Sequence, residues 1–473
     1  MSEVDTQHPE YEALADKWKR CRDCVAGTDA VHAAGERYLP KLKDQTTSDY
    51  DAYKLRAQFF NATWRTISAL SGMIFRKPPV IDVAASIEPL LEDVTMSGVD
   101  FNILAQRATI EILTSGRMGV LVDYPSQSVQ GMTLADVAQL NLRPTMNVYP
   151  AESIINWKTG RVGNKTMTTM VVLTEEADVE ADNEFQSKTE THYRVLDLFE
   201  GKYRVRVFRI GEKKEDEQVG DDLFPLMNNA TLDYIPFYFI GVDDTTPATD
   251  EPPLIDLVDL NLAHYRTNAD YSHGLHFTGL PTAVVSGYTP ENATDKLYIG
   301  SSTAWVFPDP NAKATFLEFT GQGLQALEKA IDRIEQQMAT IGARLLSPEK
   351  KATETAQTAQ IHRAGESSIL SAIANTISIG LSQALVTFSE WAGVKGEASI
   401  TLNTDFLPPE MTPQSLTALV AAWQAGAISM QVLFDQLQKS EVITSDIDLE
   451  EMQTQIDSAP IPKPDLSGQA GVE

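Results

Sequence analysis

A seven-residue apolar repeat between residues 324 and 345 is the feature that most constrains the fold. Apolar residues recur there at alternating steps of three and four, at Leu324, Leu327, Ile331, Ile334, Met338, Ile341 and Leu345. This period places one narrow apolar seam on a helix, and charged residues such as Lys329 and Arg333 occupy the opposite face. Because the chain holds no second heptad repeat, the seam is predicted to pack between subunits.

An uncharged run follows this repeat. Between Glu366 and Glu390 the chain carries no charged residue, and apolar residues continue at steps of four and three. The pattern predicts one helix from Thr353 to Trp391, on the order of 60 Å long. The run is long enough to cross a membrane, but 14 of its 23 residues are Ser, Thr, Asn, Gln, Ala or Gly. A buried helix, packed on both sides within an assembly and without membrane insertion, is therefore favoured.

The composition predicts a folded, acidic protein with more than one domain. The chain has 473 residues, of which 42% are hydrophobic and 22% charged, and its formal net charge is −28. A chain of this length can bury sizeable cores. Phosphate contacts require Lys and Arg, so a protein this acidic is not expected to grip nucleic acid over its whole surface.

No metal or cofactor is predicted. Cys21 and Cys24 form a C-x-x-C pair, but no second such pair supplies the four ligands of a structural zinc site. They are expected to be small packed residues of an N-terminal helix. His273 and His276 lie one turn apart on a predicted helix, without a carboxylate or cysteine to complete a site, so packing is the favoured interpretation.

The sequence lacks the common catalytic motifs. The segment from Gly160 to Thr166 resembles a phosphate-binding loop, but Asn164 stands where the motif requires glycine and no helical pattern follows. No zinc-protease, nucleophile-elbow or dinucleotide-binding pattern is present. The protein is therefore predicted not to be an enzyme. An unrecognised hydrolase that uses paired carboxylates such as Asp243 and Asp244 remains an alternative.

The order of predicted elements indicates an α+β chain. Helices are predicted at residues 10–35, 48–71, 84–117 and 254–277, and strands at residues 119–124, 167–173, 191–199, 203–210, 234–240, 282–285, 303–307 and 398–402. Acidic links at residues 175–180 and 212–217 are expected to be solvated hairpin ends. The basic stretch from Gly72 to Pro79 is expected to close a helix C-terminus. Pro413 and Ser429 should begin two short helices near the C-terminus.

Several stretches resemble the portal (head–tail connector) proteins of tailed double-stranded DNA phages. They are Arg37–Pro40, Arg56–Ala57 with Asn61, Thr63, Arg65 and Thr66, Gly72–Pro78, Gly119–Pro125, Pro150–Trp157, Glu354–Ala356 and Gly365–Ser368. Portals share little sequence, so the resemblance rests on the order of these motifs and of the predicted elements, over most of residues 35–440. It implies a portal-type architecture with an α/β wing, a two-helix stem, a small β clip, a long spine helix and a helical crown.

The resemblance also assigns a role to each part of the chain. The implied segments are an N-terminal wing body (1–252), stem helix one (253–277), the clip (278–320), stem helix two (321–345), a tunnel loop (346–352), the spine helix and a wing strand (353–408), the crown (409–456) and a disordered tail (457–473). The implied assembly is a homo-oligomer of twelve subunits at one capsid vertex, through which DNA passes during packaging and ejection.

The partners follow from the same resemblance. The implied partners are the terminase large subunit, a head–tail adaptor protein and the capsid, with a scaffold protein as a further candidate, in a virion assembled in the cytoplasm of a bacterial host. Lys350 and Lys351 in the tunnel loop are implied to contact DNA phosphates, with Lys329, Arg333 and Arg344 as further candidates. Intersubunit ion pairing or simple solvation is the alternative for these five cations. Another ring-forming neck or tail protein of a phage remains an alternative identity.

Overall fold

The computed structural model describes residues 3–124, 142–179, 183, 185–228, 230–279, 282–287, 305, 307, 311–317, 322–344, 368–406, 413–424, 427–440, 448–449 and 454. The chain forms two compact units, Met1–Thr404 and Asp405–Glu473. The predicted tunnel loop with Lys350 and Lys351, the seam residue Leu345 and the C-terminal tail lie outside the described residues.

Helices and strands are both abundant, so the α+β prediction is confirmed. The helices are α1 (Pro9–Ala26), α2 (Thr28–Ala33), α3 (Thr47–Arg56), α4 (Ala62–Ile74), α5 (Phe101–Ser115), α6 (Ile255–Gly279), α7 (Gln322–Arg344), α8 (Ile369–Trp391), α9 (Pro413–Gln424) and α10 (Met430–Lys439). The strands are β1 (Val80–Asp82), β2 (Arg117–Asp123), β3 (Thr145–Pro150), β4 (Ile154–Val162), β5 (Lys165–Val179), β6 (Lys188–Phe199), β7 (Lys202–Ile210), β8 (Asp216–Gln218), β9 (Leu226–Met227), β10 (Ala230–Thr231), β11 (Phe237–Gly241), β12 (Thr282–Ser286), β13 (Lys313–Leu317) and β14 (Ser399–Thr401).

The three long helices predicted near the N-terminus are each interrupted. Gly27, at φ +93°, separates α1 from α2, a backbone conformation that residues with a side chain rarely adopt. The side chain of Asn61 accepts a hydrogen bond from the Trp64 amide and so begins α4 as a separate helix. The side chain of Asp100 caps α5, and Gly116 ends it in the left-handed conformation. The apolar spacing was read correctly, but these local caps were not recognised.

A three-stranded antiparallel sheet in the order β11-β2-β3 lies at the centre of the first unit. Its middle strand, β2, is buried from Arg117 to Val122, as predicted for residues 119–124. The same unit contains the pair β1-β14 and a five-stranded antiparallel sheet in the order β4-β5-β6-β7-β8. Helix α8 packs on the central sheet, and α6 packs against α1, α3 and α4.

The five-stranded sheet confirms the predicted antiparallel region and corrects one of its boundaries. Residues 175–179 continue β5 and pair with residues 188–192 of β6, so the acidic residues Glu175 and Glu176 belong to a strand and not to a hairpin end. The segment that resembles a phosphate loop is the β4–β5 hairpin, with Gly163 at φ +62° in its turn. A hairpin has no helix N-terminus to receive a phosphate, so this segment lacks the geometry of a phosphate-binding loop.

Helix α8 is the core helix of the first unit. Ser368 has an extended backbone, and its side chain accepts a hydrogen bond from the Ser371 amide, so the helix begins at Ile369 and not at Thr353 as predicted. It packs against α5, β2, β11 and β14 of the same chain, whereas we predicted packing within an assembly. Its length and composition would suit a membrane span, but 61% of its most apolar window is buried inside the protein, as in the core helix of a soluble protein.

The C-terminal unit contains α9 and α10 among its described residues. Pro413 is the first residue of α9, as predicted. The side chain of Ser429 accepts a hydrogen bond from the Val432 amide and begins α10, which confirms the predicted cap. Both helices begin at residues that mark helix starts in the sequence itself, so the sequence alone was sufficient to place them.

Candidate functional site

The candidate site is the antiparallel helix pair formed by α6 and α7. Helix α6 begins inside the first unit, where Leu257, Leu262 and Tyr265 are almost completely buried. Its second half, from Asp270 to Gly279, is exposed or only half-buried. The burial of α6 therefore decreases along the helix, from its first half in the core to its last turns.

The linker in front of α6 is fixed to the central sheet. The guanidinium of Arg117, at the start of β2, donates a hydrogen bond of 2.8 Å to the Pro247 carbonyl. The same guanidinium lies 3.8 Å from the ring centroid of Trp157, and its burial lowers the pKa of Arg117 to about 9. The Asp250 carboxylate accepts hydrogen bonds from the Val242 and Asp243 amides. Sequence reasoning missed this anchor, because nothing near Arg117 in the sequence marks it as buried.

Helix α7 runs back along α6 in the opposite direction. Near its start, Leu324 lies against Gly274, where an added β-carbon would come within 2.6 Å of the Leu324 Cδ2 atom. Further along α7, Glu335 lies 3.2 Å from the Nε2 atom of His264, which belongs to an earlier turn of α6. Gly274 thus permits a close approach at the far end of the pair, and the His264–Glu335 contact joins the helices near the core.

The predicted seam is the less exposed side of α7. Met338 is 5% exposed, and Leu324, Leu327, Ile331, Ile334 and Ile341 are half-buried, while most residues between them are exposed. Within the same chain, α6 packs against α7, although α6 carries no heptad repeat of its own. A role of the seam residues in packing between subunits stays a prediction.

A groove separates α7 from α4. It has a volume of about 490 Å³ and is mostly apolar, with Phe60, Leu70 and Met73 on one side and Met338 and Ala339 on the other. At Gly342 of α7, an added β-carbon would lie 3.5 Å from the Thr66 Cγ2 atom of α4. The groove leaves an open, mostly apolar surface between the two helices.

The far end of the pair carries a two-stranded antiparallel sheet, β12-β13. The strand that pairs with β12 is β13, Lys313–Leu317, and not the predicted strand at residues 303–307. Of that predicted strand, the described residues Trp305 and Phe307 lie outside any strand. Leu275, Phe277 and Val284 are exposed by 45%, 50% and 40% at this end. A small β region between the two helices agrees with the predicted order of elements.

The cations predicted to contact DNA are only partly described. Lys329 and Arg333 are exposed on α7, and neither has an ion-pair partner in the described part of the chain. Arg344 is the last residue of α7. Lys350 and Lys351 lie outside the described residues, so Lys329 and Arg333 are the cations of this set whose side chains the structure describes.

The other candidate residues pack as predicted. Cys21 and Cys24 are free thiols in a buried cluster with Tyr38 and Tyr265, and burial raises the pKa of Cys21 to about 12. Within the residues that the structure describes, no group of three or more His, Cys, Asp or Glu could hold a metal ion.

The two stem histidines contact protein groups. The ring of His273 packs edge-on against Tyr53, and the Nε2 atom of His276 lies 3.1 Å from the guanidinium of Arg56. Burial and the neighbouring Arg56 lower the pKa of His273. These contacts tie the C-terminal part of α6 to α3.

The paired carboxylates considered for a hydrolase do not form a site. Asp243 and Asp244 are both exposed, and the Asp244 side chain accepts a hydrogen bond from the Thr246 amide. An exposed turn of this kind lacks the burial that tunes catalytic carboxylates.

Comparison with known proteins gives one family match. Residues 253–392 match the family described as "Domain of unknown function (DUF4055)". This segment begins two residues before α6 and ends one residue after α8, so it contains the helix pair, the β12-β13 sheet and the core helix. No curated protein matches the chain.

Solved structures with remote similarity come from gene transfer agent (GTA) particles. "Neck of empty GTA particle computed with C6 symmetry" has a TM-score of 0.38 and 10% identity, over 88% of this chain and 95% of that chain. "Virion of native gene transfer agent (GTA) particle" has a TM-score of 0.37 and 11% identity, over 92% and 99%. "Neck of native GTA particle computed with C12 symmetry" has a TM-score of 0.39 and 11% identity, over 80% and 89%. TM-scores this low do not define the function of the chain.

Proposed function

We propose that this protein is a phage portal subunit, which forms a ring of twelve copies at one capsid vertex and surrounds a channel for double-stranded DNA. The observation that carries the proposal is the path of the chain from α6 to α8. One helix leaves the core, a two-stranded sheet follows, a second helix returns antiparallel to the first, and the core helix comes next. This is the stem–clip–stem–spine order of the portal family.

The exposure of the stem supports assembly. A helix that buries only one narrow stripe within its own chain leaves its other faces available to neighbours, and α7 is such a helix. In a closed ring each subunit contacts two neighbours through two different surfaces. The half-buried seam and the open groove beside α4 provide apolar area for such contacts.

The charge of the chain supports a channel that does not hold its DNA. A net charge of −28 per chain becomes a strongly acidic assembly in a ring, and an acidic wall repels phosphates. Lys350 and Lys351 are the proposed contacts of the tunnel loop with phosphates, and Lys329, Arg333 and Arg344 are secondary contacts. Such contacts position DNA without reading its sequence.

The proposed partners are those of a portal. The terminase large subunit docks on the clip during packaging, and a head–tail adaptor protein replaces it afterwards. The capsid, and a scaffold protein during assembly, surround the ring in the virion, which forms in the host cytoplasm. No catalytic step is assigned to the chain itself.

Electron microscopy of the purified full chain tests this function. We expect closed rings of about twelve subunits around a hole of roughly 20–40 Å, wide enough for a DNA duplex. The matched sample is the Lys350→Glu/Lys351→Glu variant, which should form the same rings but retain less DNA at low salt. A monomer or small oligomer at every salt and protein concentration would refute the ring. A ring whose hole excludes duplex DNA would instead indicate another neck or tail component.

A further inference from the structure

Strand β3 forms an edge of the central sheet, and its hydrogen bonds identify which backbone groups face outward. The Val122 amide of β2 donates to the Pro236 carbonyl on the β11 side, 2.9 Å away. Val122 is opposite Met146, whose amide donates away from β2, to the Val94 carbonyl at 2.7 Å. The backbone N–H and C=O groups of successive residues point to opposite sides of an antiparallel strand. The backbone groups of Met146, Val148 and Pro150 therefore point away from β2, and those of Asn147 and Tyr149 point toward it.

This edge has free hydrogen-bonding groups. The outward groups are the Met146 carbonyl and the Val148 amide and carbonyl, and none of the three has a hydrogen-bond partner in the part of the chain that the structure describes. Pro150 has no amide hydrogen and so ends the usable edge. An open strand edge is a template for pairing with another extended chain.

The edge forms the floor of a polar cleft of about 460 Å³. Arg107 of α5 lines this cleft, is exposed, and has no ion-pair partner among the described residues. Arg194 also lines the cleft but lies 2.8 Å from the Glu175 carboxylate and 3.3 Å from that of Asp123. The cleft therefore combines one uncommitted cation with a short ladder of free backbone groups.

We infer that β3 binds an extended, acidic segment of a second copy of this chain, which adds a strand to the edge of the central sheet. Backbone groups of the segment would pair with Val148 and Met146, and a carboxylate of the segment would pair with Arg107. Strand addition of this kind draws affinity from main-chain hydrogen bonds. The inference rests on the proposed ring, since it assigns one of the two surfaces by which ring neighbours meet.

Charge favours a second copy as the occupant. The chain has 66 acidic and 38 basic residues, so a second copy offers more carboxylates than cations to Arg107. A contact between the β3 edge and a different segment of the neighbour is heterologous, and such contacts form a ring when the rotation between neighbours closes. A symmetric pair of copies would stop at a dimer.

The decisive variant is Val148→Pro, with Val148→Thr as the matched control. Proline deletes the outward amide hydrogen and leaves the bonds between β2 and β3 intact, since edge strands accept proline where the amide faces outward. Threonine keeps the amide and the β-branched shape. By mass photometry, we expect the protein concentration at half-assembly to rise about tenfold for Val148→Pro, the effect of one lost hydrogen bond at a buried contact. Val148→Thr should assemble as the wild type does.

A second variant guards against misfolding. Arg107→Glu changes an exposed side chain on α5 without touching the strand, and it should weaken assembly while far-UV circular dichroism stays unchanged. Hydrogen exchange gives a direct readout, because the Val148 amide should exchange more slowly in the assembled wild type than in dissociated subunits. If wild-type rings form and both folded variants assemble normally, the inference is wrong and the ring stands. If the wild type forms no ring, the proposed function itself fails.

Discussion

Helices α7 and α8 have 23 residues each and stand in opposite environments. Helix α7 is charged and exposed except along its seam, where only Met338 is fully buried among the side chains that the structure describes. Helix α8 carries no charge before Glu390 and buries Ile373, Leu381 and Phe388 completely. Helix α8 completes the core of its own chain, whereas α7 buries little more than one apolar stripe of its surface.

The polar residues of α8 explain why it can be buried without charges. The Ser378 hydroxyl donates to the Ala374 carbonyl at 2.7 Å and accepts from the Leu402 amide at 3.0 Å. The Ser382 hydroxyl accepts from the Ile400 amide at 2.9 Å. These hydroxyls satisfy backbone groups at strand β14, which would otherwise be buried without partners. The two helices therefore differ in how far residues of the same chain surround them: α8 is enclosed by its own chain, and most of α7 is not.

The largest effect should come from Phe388→Ala in α8. Phe388 is completely buried, and removing a buried phenyl ring costs about 3–5 kcal/mol in the free energy of unfolding. Urea unfolding of the purified chain measures this loss. The control is Ile379→Ala in the same helix, because Ile379 is 55% exposed and its loss should cost less than about 1 kcal/mol. Equal losses for both variants would contradict the core assignment of α8.

Two glycine substitutions sharpen the comparison at the next level. In Gly380→Ala the new β-carbon lies 2.5 Å from Ile240 Cγ1, inside the core, and should cost about 1–3 kcal/mol. In Gly274→Ala it meets the end of the Leu324 side chain, which can turn toward solvent. Alanine is better than glycine in a helix by about 1 kcal/mol, so Gly274→Ala should be nearly neutral. In thermal unfolding, Gly380→Ala should lower the Tm clearly more than Gly274→Ala does. If Gly274→Ala lowers the Tm as much as Gly380→Ala, the helix pair is packed as tightly as the core.

Charge reversal on α7 should barely change the fold. Lys329→Glu and Arg333→Glu alter exposed side chains without ion-pair partners in the described residues, and exposed substitutions usually stay within about 0.5 kcal/mol. Denaturant unfolding should therefore give the wild-type midpoint. A marked loss of stability in dilute, dissociated protein would mean that these residues make contacts within the chain.

The smallest effect is a pH dependence of stability that arises from His273 of α6. Burial, Arg56 and His276 lower the pKa of His273 in the folded protein, whereas the unfolded chain keeps a value near 6.5. Below that pH the unfolded state binds more protons, so this residue contributes stability above about pH 6.5 and loses it as the pH falls. His273→Phe should flatten the slope between pH 7.5 and pH 5.5 in urea midpoints. An unchanged slope would assign the dependence to other groups.

Local patterns predicted the elements whose signals are local. The apolar spacing of α6 and α7, the alternation of the antiparallel strands and the Ser429 cap each lie within a few residues of one another, and the structure confirms them. The predicted start of α8 at Thr353 is wrong because the sequence pattern does not show that Ser368 has an extended backbone and caps the helix, which begins at Ile369. The pairing of β12 with Lys313–Leu317 and the burial of Arg117 depend on contacts between distant residues. A single sequence does not display such contacts.

Within the candidate site, the sequence was sufficient for the helix pair but not for its surroundings. The seam residues were identified by their period, whereas their partner α6 has no heptad repeat to mark it. The free groups of β3 were also invisible, because they depend on which side of the strand pairs with β2. Edge identity is a property of the sheet and not of the strand.

The anchor at Arg117 has a mechanical consequence. The linker between β11 and α6 is held at Pro247 by Arg117 and at Glu251 by an ion pair with Lys17 of α1. A force on the exposed end of α6 would therefore act on the central sheet and on α1 through these two contacts before the linker could extend. The linker is thus attached at two points, so a displacement of the helix pair would be transmitted to the central sheet and to α1.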